Sequence, residues 1–216
     1  MSEKSELPAA ANVEGAVSRG EILIAHDPAA GDVTEVRNLV VQSSLAQLKA
    51  HGFYERYVDC IAPDTLEELL ALMGPGWIPV ALALAHYRAC EDMQLSDAEL
   101  SLIGSAVGER LQDATLISSA KKSRDEDFDP WQIEPQLHRM WRRLYRGGSI
   151  EVTKLGPKEK QIAQRGFPMN RFRYYRHGLL MALQAAHKAV GLEVSRVRVE
   201  RYDAGTHEVA FRLSWW

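Results

Sequence analysis

The chain has 216 residues, of which 46% are hydrophobic and 25% charged, with only two cysteines. That length suits one domain able to bury roughly 70% of its unfolded surface, and the composition excludes a disordered polymer and a disulfide-stapled secreted module. The net charge of −3 conceals a dipole: residues 1–135 carry 10 Lys/Arg against 23 Asp/Glu, a balance of −13, and residues 136–216 carry 16 against 6, a balance of +10.

Residues 1–30 lack the basic start and apolar core of an export signal, offering only Ile22-Leu23-Ile24 as an apolar run. The most apolar stretch, residues 77–85, is about half of what a membrane span requires. A cytoplasmic protein is the expectation, and a count of only two cysteines suits a reducing compartment. Residues 1–31 read as a flexible N-terminal arm in which residues 21–25 form at most one short strand, and residues 32–216 read as a single domain.

From Asp32 a helical period sets in. Asp32-Val-Thr-Glu35 has the form of a capping box, and Val36, Leu39, Val40 and Leu48 give an apolar stripe ending at Gly52. Asp64-Thr-Leu-Glu67 repeats the device ahead of Leu66, Leu69, Leu70 and Met73, with Gly74-Pro75-Gly76 as the closing turn. A third helix runs from Pro79 to about Met93. Ser96-Asp-Ala-Glu99 caps a fourth, with Leu100, Ile103, Val107 and Leu111 on one face. Residues 121–129 read as a charged loop. Asp129-Pro130 then starts a fifth helix with Ile133, Leu137, Met140 and Leu144 in line, stopped by Gly147-Gly148.

Beyond that point the period changes from 3.6 to 2. Ile150 and Val152 alternate with polar residues, Gly156-Pro157-Lys158-Glu159 turns, and residues 160–165 return with Ile162 inward. Asn170 is placed to cap a sixth helix that ends at Gly191. Val197 and Val199, then Val209, Phe211, Leu213 and Trp215, make a second hairpin around Asp203-Ala-Gly205. The fold class is therefore α+β: a helical N-terminal half, then hairpin-helix-hairpin forming a four-stranded antiparallel sheet covered on one face by helices.

Ile103-Gly104 to Gly108-Glu109-Arg110, the string Trp141-Arg-Arg-Leu-Tyr-Arg-Gly-Gly148 leading into Ile150-Glu-Val-Thr-Lys-Leu-Gly-Pro157, and the final Arg212-Leu-Ser-Trp215 carry a resemblance. Over residues 36–215 the chain resembles an uncharacterised bacterial family of about this size, abundant in myxobacteria. That family lies near the haem-NO-binding, 4-vinyl reductase and trafficking-complex (Bet3-like) superfold. The resemblance implies a non-enzymatic ligand-holding, sensory or regulatory domain, often dimeric, with a pocket between helices and sheet. The alternative it implies is a ligand-free dimeric scaffold. The haem branch holds its porphyrin with Tyr-x-Ser-x-Arg, a string that does not occur here, and the zinc branch uses about three cysteines where this chain has Cys60 and Cys90. The expectation is of no cofactor, neither haem nor zinc.

Among residues that could carry chemistry, His86 and Cys90 lie four apart on one helical face and form a weak metal-ligand pair, with His51, Cys60 and His138 as possible further ligands. A buried cysteine acting as a small hydrophobe beside a hydrogen-bonded histidine is the favoured account of the pair. Gly104 and Gly108 in a patterned helix imply close approach of another element, or a ligand against bare backbone.

Arg171-Phe-Arg-Tyr-Tyr-Arg-His177 puts cations at a helix N-terminus, where they are disfavoured unless an anion or carboxylates neutralise them. Arg171, Arg173, Tyr174, Arg176 and His177 are accordingly the candidate ligand-binding residues, for a small anionic or aromatic ligand. Pairing of those arginines with the acidic first half is the competing account. Arg142, Arg143 and Arg146 complement the end of the fifth helix, and a pI near 6.2 argues against nucleic acid as partner. No hydrolase, phosphate-loop or metalloprotease motif occurs.

Overall fold

The computed structural model describes residues 20–72, 74–115, 129–189 and 192–216. Its first strand, β1 (Glu21–Ile24), is followed by β2 (Glu35–Arg37), α1 (Asn38–Ala50), α2 (Tyr54–Cys60), α3 (Pro63–Ala71), β3 (Trp77–Pro79), α4 (Val80–Asp92) and α5 (Asp97–Thr115). Then come α6 (Glu134–Leu144), β4 (Tyr145–Arg146), β5 (Ser149–Gly156), β6 (Glu159–Arg165), α7 (Arg173–Ala189), β7 (Val194–Asp203) and β8 (Glu208–Trp215). The class is α+β, as the change of period requires.

The main sheet is antiparallel and runs β1-β5-β6-β8-β7, so both expected hairpins are present and a fifth strand, β1, is added beside β5. Register aligns Val152, Ile162, Phe211 and Val199 in one row. That row belongs to the face under the helices, where Val152, Ile162 and Phe211 are buried. The opposite face is laced by charge: Arg165 meets Glu151 and Glu208, and Arg212 meets Glu159 and Glu200. These pairs lie within the second half itself, so its surplus of positive charge is left to other contacts.

The first helix does not begin at Asp32. The Val33 N–H donates to the Gly166 carbonyl, Thr34 N–H donates to Arg146, and residues 35–37 pair with β3 and β4 in a second, three-stranded sheet ordered β3-β2-β4. Strand partners have taken the N–H groups a helix start would leave free, so α1 begins at Asn38 with no side-chain cap. The box at Asp64 is likewise not used as a cap, because Pro63 already occupies the first turn. Helix α2 breaks no sequence rule but is only seven residues long, and no period could reveal it.

The box at Ser96 does form, with Ser96 N–H on Glu99 Oε2 at 2.7 Å and Glu99 N–H on Ser96 Oγ at 3.3 Å. Asn170 caps nothing: it is buried in the 3-10 turn Pro168–Arg171 and donates to the His207 carbonyl. Gly104 permits close approach, since a Cβ there would lie 2.9 Å from Met181 Cγ and 3.2 Å from Gly178 Cα on α7. The expected loop at 121–129, apart from Asp129, the stop at Gly191 and the arm over residues 1–19 lie outside the described residues.

Candidate functional site

Where α6 ends, the chain must form β4 and enter β5 within a few residues. It does so through Gly147 and Gly148, both left-handed at φ of +82° and +69°. A Cβ on Gly147 would sit 2.2 Å from the Asp32 carbonyl oxygen, and one on Gly148 2.5 Å from the Phe167 ring. Gly166, at φ +72°, closes on Gly31 and Asp32 in the same way. These approaches lay residues 25–33 across the end of α6 and leave a cleft of about 560 Å³ between them.

On one side of the cleft stand Ile24, Ala25, Asp27 and Ala30; on the other stand His138, Trp141, Arg142 and Tyr145. Helix α6 buries Glu134, Leu137, Trp141 and Leu144, and His138 and Arg142 each lie one residue round from that stripe. The half-buried His138 ring has an Nδ1 that is buried and unpartnered among the described residues, as is the Trp141 indole Nε1. Arg142 is exposed and makes no ion pair among the described residues. Arg146 pairs with Glu35 at 2.5 Å and stacks on Trp77, with 4.5 Å to the ring centre. One turn before His138, Glu134 forms a fully buried ion pair with Lys160 of β6. Burial pushes the Glu134 carboxyl up and the Lys160 ammonium down, each opposed by the other's charge.

The five residues expected to bind a ligand are not gathered at one point. Arg171 lies over the Phe172 ring at 4.9 Å. Arg173 pairs with Asp97 at 3.2 Å and donates to the Leu95 carbonyl. Tyr174 is buried, its hydroxyl 2.7 Å from Ser44 Oγ. Arg176 donates to the Asn170 carbonyl and lies over Tyr202 at 4.3 Å. His177 Nε2 is 2.9 Å from Ser101 Oγ, and its pKa is lowered by burial, with Arg173 adding to the effect against Asp97. The start of α7 is neutralised from the acidic half: Glu91 Oε2 accepts the Tyr174 N–H at 2.9 Å. Arg173 and Tyr174 do border a separate cavity of about 330 Å³, together with Cys90 and Glu91.

His86 and Cys90 lie in a buried chain of polar groups. His86 Nδ1 is 3.0 Å from the Tyr57 hydroxyl and Nε2 is 3.0 Å from Ser44 Oγ, with Cys90 Sγ at 3.6 Å from Nε2. Burial lowers the His86 pKa to about 3 and raises the Cys90 thiol well above its usual value, so both are neutral. No group of three or more His, Cys, Asp or Glu residues placed to hold a metal occurs among the described residues. The space between α1, α4, α5 and α7 is only about 60 Å³, with Tyr87, Tyr145, Tyr174 and Tyr175 around it.

No family model matches the chain, and no curated protein does. Solved structures do. An Fe(II) unliganded H-NOX protein from K. algicida superposes with a TM-score of 0.60 at 13% identity, over 83% of this chain and 96% of that one. An oxygen-binding H-NOX domain related to soluble guanylate cyclases, in its oxygen complex, gives 0.51 at 9% identity, over 83% and 94%. A structure from work on modulating haem redox potential through protein-induced porphyrin distortion gives 0.54 at 10%, over 83% and 94%. The fold is thus that of H-NOX domains.

This likeness overturns the expectation of no cofactor, since neighbours of the same fold come from work on haem redox potential and on haem distortion in the H-NOX family. The missing Tyr-x-Ser-x-Arg string removes one means of holding porphyrin carboxylates; it says nothing of the iron ligand or of arginines elsewhere in the fold. In the sequence His138 stands out as a further zinc ligand for the His86–Cys90 pair, and Arg142 as a helix-end charge. Their position just off the buried stripe of α6 was the available signal. The wall formed by residues 24–30 had no signal beyond the short apolar run. No helix among the described residues is long and apolar enough to cross a membrane.

Proposed function

We propose that this chain is a non-enzymatic sensory domain that holds a small ligand in the cleft beside α6, with haem as the cofactor that the cleft suits. The observation that carries this reading is a cleft of about 560 Å³ bordered by a histidine with an unpartnered buried nitrogen, in a fold of H-NOX type. Its size falls within the range of about 300 to 1,000 Å³ common to ligand sites, and its exposed lining is polar and apolar in near-equal parts. Imidazole is a standard haem ligand, so His138 would hold the iron. Trp141, Tyr145 and Phe167 offer aromatic surface, and the guanidinium groups of Arg142 and Arg146 suit carboxylates. Bound there, haem would supply a site for a diatomic gas. The chain's own contribution is to orient the His138 ring from a helix tied to β6 by the Glu134–Lys160 pair, and to exclude water with residues 24–30.

Expression with a haem precursor, followed by an absorbance scan and native mass spectrometry, tests this and reports oligomeric state as well. A Soret band that is lost in H138A and restored by added imidazole is the expected result. A colourless protein that takes up no haemin, or a band unchanged in H138A, overturns it. A ligand-free dimer in the same spectrum favours the scaffold reading. The cavity beside Arg173 and Tyr174 supports a second position, for a small anion; an R173Q/R176Q variant with unchanged thermal shift on adding phosphate or citrate removes it.

A further inference from the structure

Residues 20–32 contain no buried residue, and Val33 is the first among the described residues. Yet Ile24, Ala25, Asp27 and Ala30 form one whole wall of the cleft. Both ends of this stretch are fixed. Strand β1 pairs with β5, while the Gly31 carbonyl accepts from Gly148 at 2.9 Å and Val33 N–H donates to Gly166 at 2.8 Å. Between those ends, the hydrogen bonds to the body of the protein converge on one atom. Ser149 Oγ accepts the Asp27 N–H at 2.8 Å and lies 2.9 Å from His26 Nδ1. The middle is organised within itself by Pro28 and by Asp27 Oδ1 accepting from Ala29 N–H at 2.9 Å, so it can move as a unit.

We infer that residues 25–30 are a strap that opens and closes the cleft, and that the Ser149 hydroxyl is its latch. A segment with no buried side chains and two bonds to one hydroxyl belongs to the least stable part of a fold, where ligand gates are found. Fixed ends confine its motion to bowing outward, which exposes His138 without unfolding the sheet. The inference deepens the ligand-binding reading by assigning regulation to the same cleft, and it can be tested without any ligand.

In the full chain, wild type is compared with S149A, which removes both bonds, and with H26A, which removes one and lies on a half-exposed side chain. Hydrogen exchange reports the strap amides, and carbethoxylation of His138 by diethyl pyrocarbonate, located by mass spectrometry, reports entry to the cleft. S149A is expected to raise both rates about fivefold or more, the factor one net hydrogen bond carries, with H26A between. Exchange in β6 should not change. Unaltered strap exchange in S149A, or faster exchange without faster His138 modification, overturns the inference. Failure of both wild type and S149A to take up haemin counts against the cofactor alone, because the modification rates decide the strap separately.

Discussion

Lys160 and Glu134 are both nearly inaccessible, and they meet where α6 lies on the sheet. Glu134 Oε2 has no partner among the described residues. Removing one ion of such a pair leaves the other buried without compensation, which costs about 3–5 kcal/mol, whereas replacing both by apolar groups of like volume is often neutral or better. Denaturant unfolding of K160M should therefore show a loss of that size, and E134L/K160M should recover most of it. A K160M protein as stable as wild type would contradict the pair's role. The sequence held part of this: Ile162 inward with a period of 2 also turns Lys160 and Gln164 inward, and both are buried. Their polarity hid the inference.

Among elements, helix α5 was legible in full at its start, because Ser96 and Glu99 make local bonds that need nothing from the rest of the chain. The start of α1 was not legible, since its apparent box at Asp32 is decided by Gly166 and Arg146, more than a hundred residues away. The same difference governs the site. Residues 171–177 stand out by local composition, but their partners Asp97, Leu95, Ser44 and Tyr202 come from elsewhere and draw them apart. Helix α5 also carries a prediction. Alanine at an exposed helical glycine adds about 1 kcal/mol of stability. At Gly104 the methyl would meet Met181 and the Gly178 backbone, so G104A should instead lose about 1–3 kcal/mol in a thermal or denaturant melt. A gain would show that α5 and α7 are not in contact there.

For the whole molecule, proton binding links the two halves. His86 in the helical half and His187 in α7 are both fully buried, and burial lowers each pKa to about 3; Lys160 adds to the effect at His187. Unfolded imidazoles titrate near 6.5, so between those values the unfolded chain binds more protons than the native one. Stability contributed by neutral histidine is fully present above about pH 6.5 and is lost as pH falls towards 3. Each histidine removes up to about 1.4 kcal/mol per pH unit. Urea midpoints measured from pH 7 to pH 5 should fall steadily, and H86Q should flatten the slope by one histidine's share. A level profile would mean that the histidines are hydrated in the native state.

Strand β1 has a consequence for anyone who trims the chain. The composition of its first 31 residues invites their removal as a tail, but β1 is what covers the outer side of β5. Without it, an eight-residue strand carrying Ile150 and Val152 would present bare N–H and C=O groups to any neighbouring molecule. The start of the fold is therefore the seal on a sheet edge, and a shortened chain begins life with a sticky side.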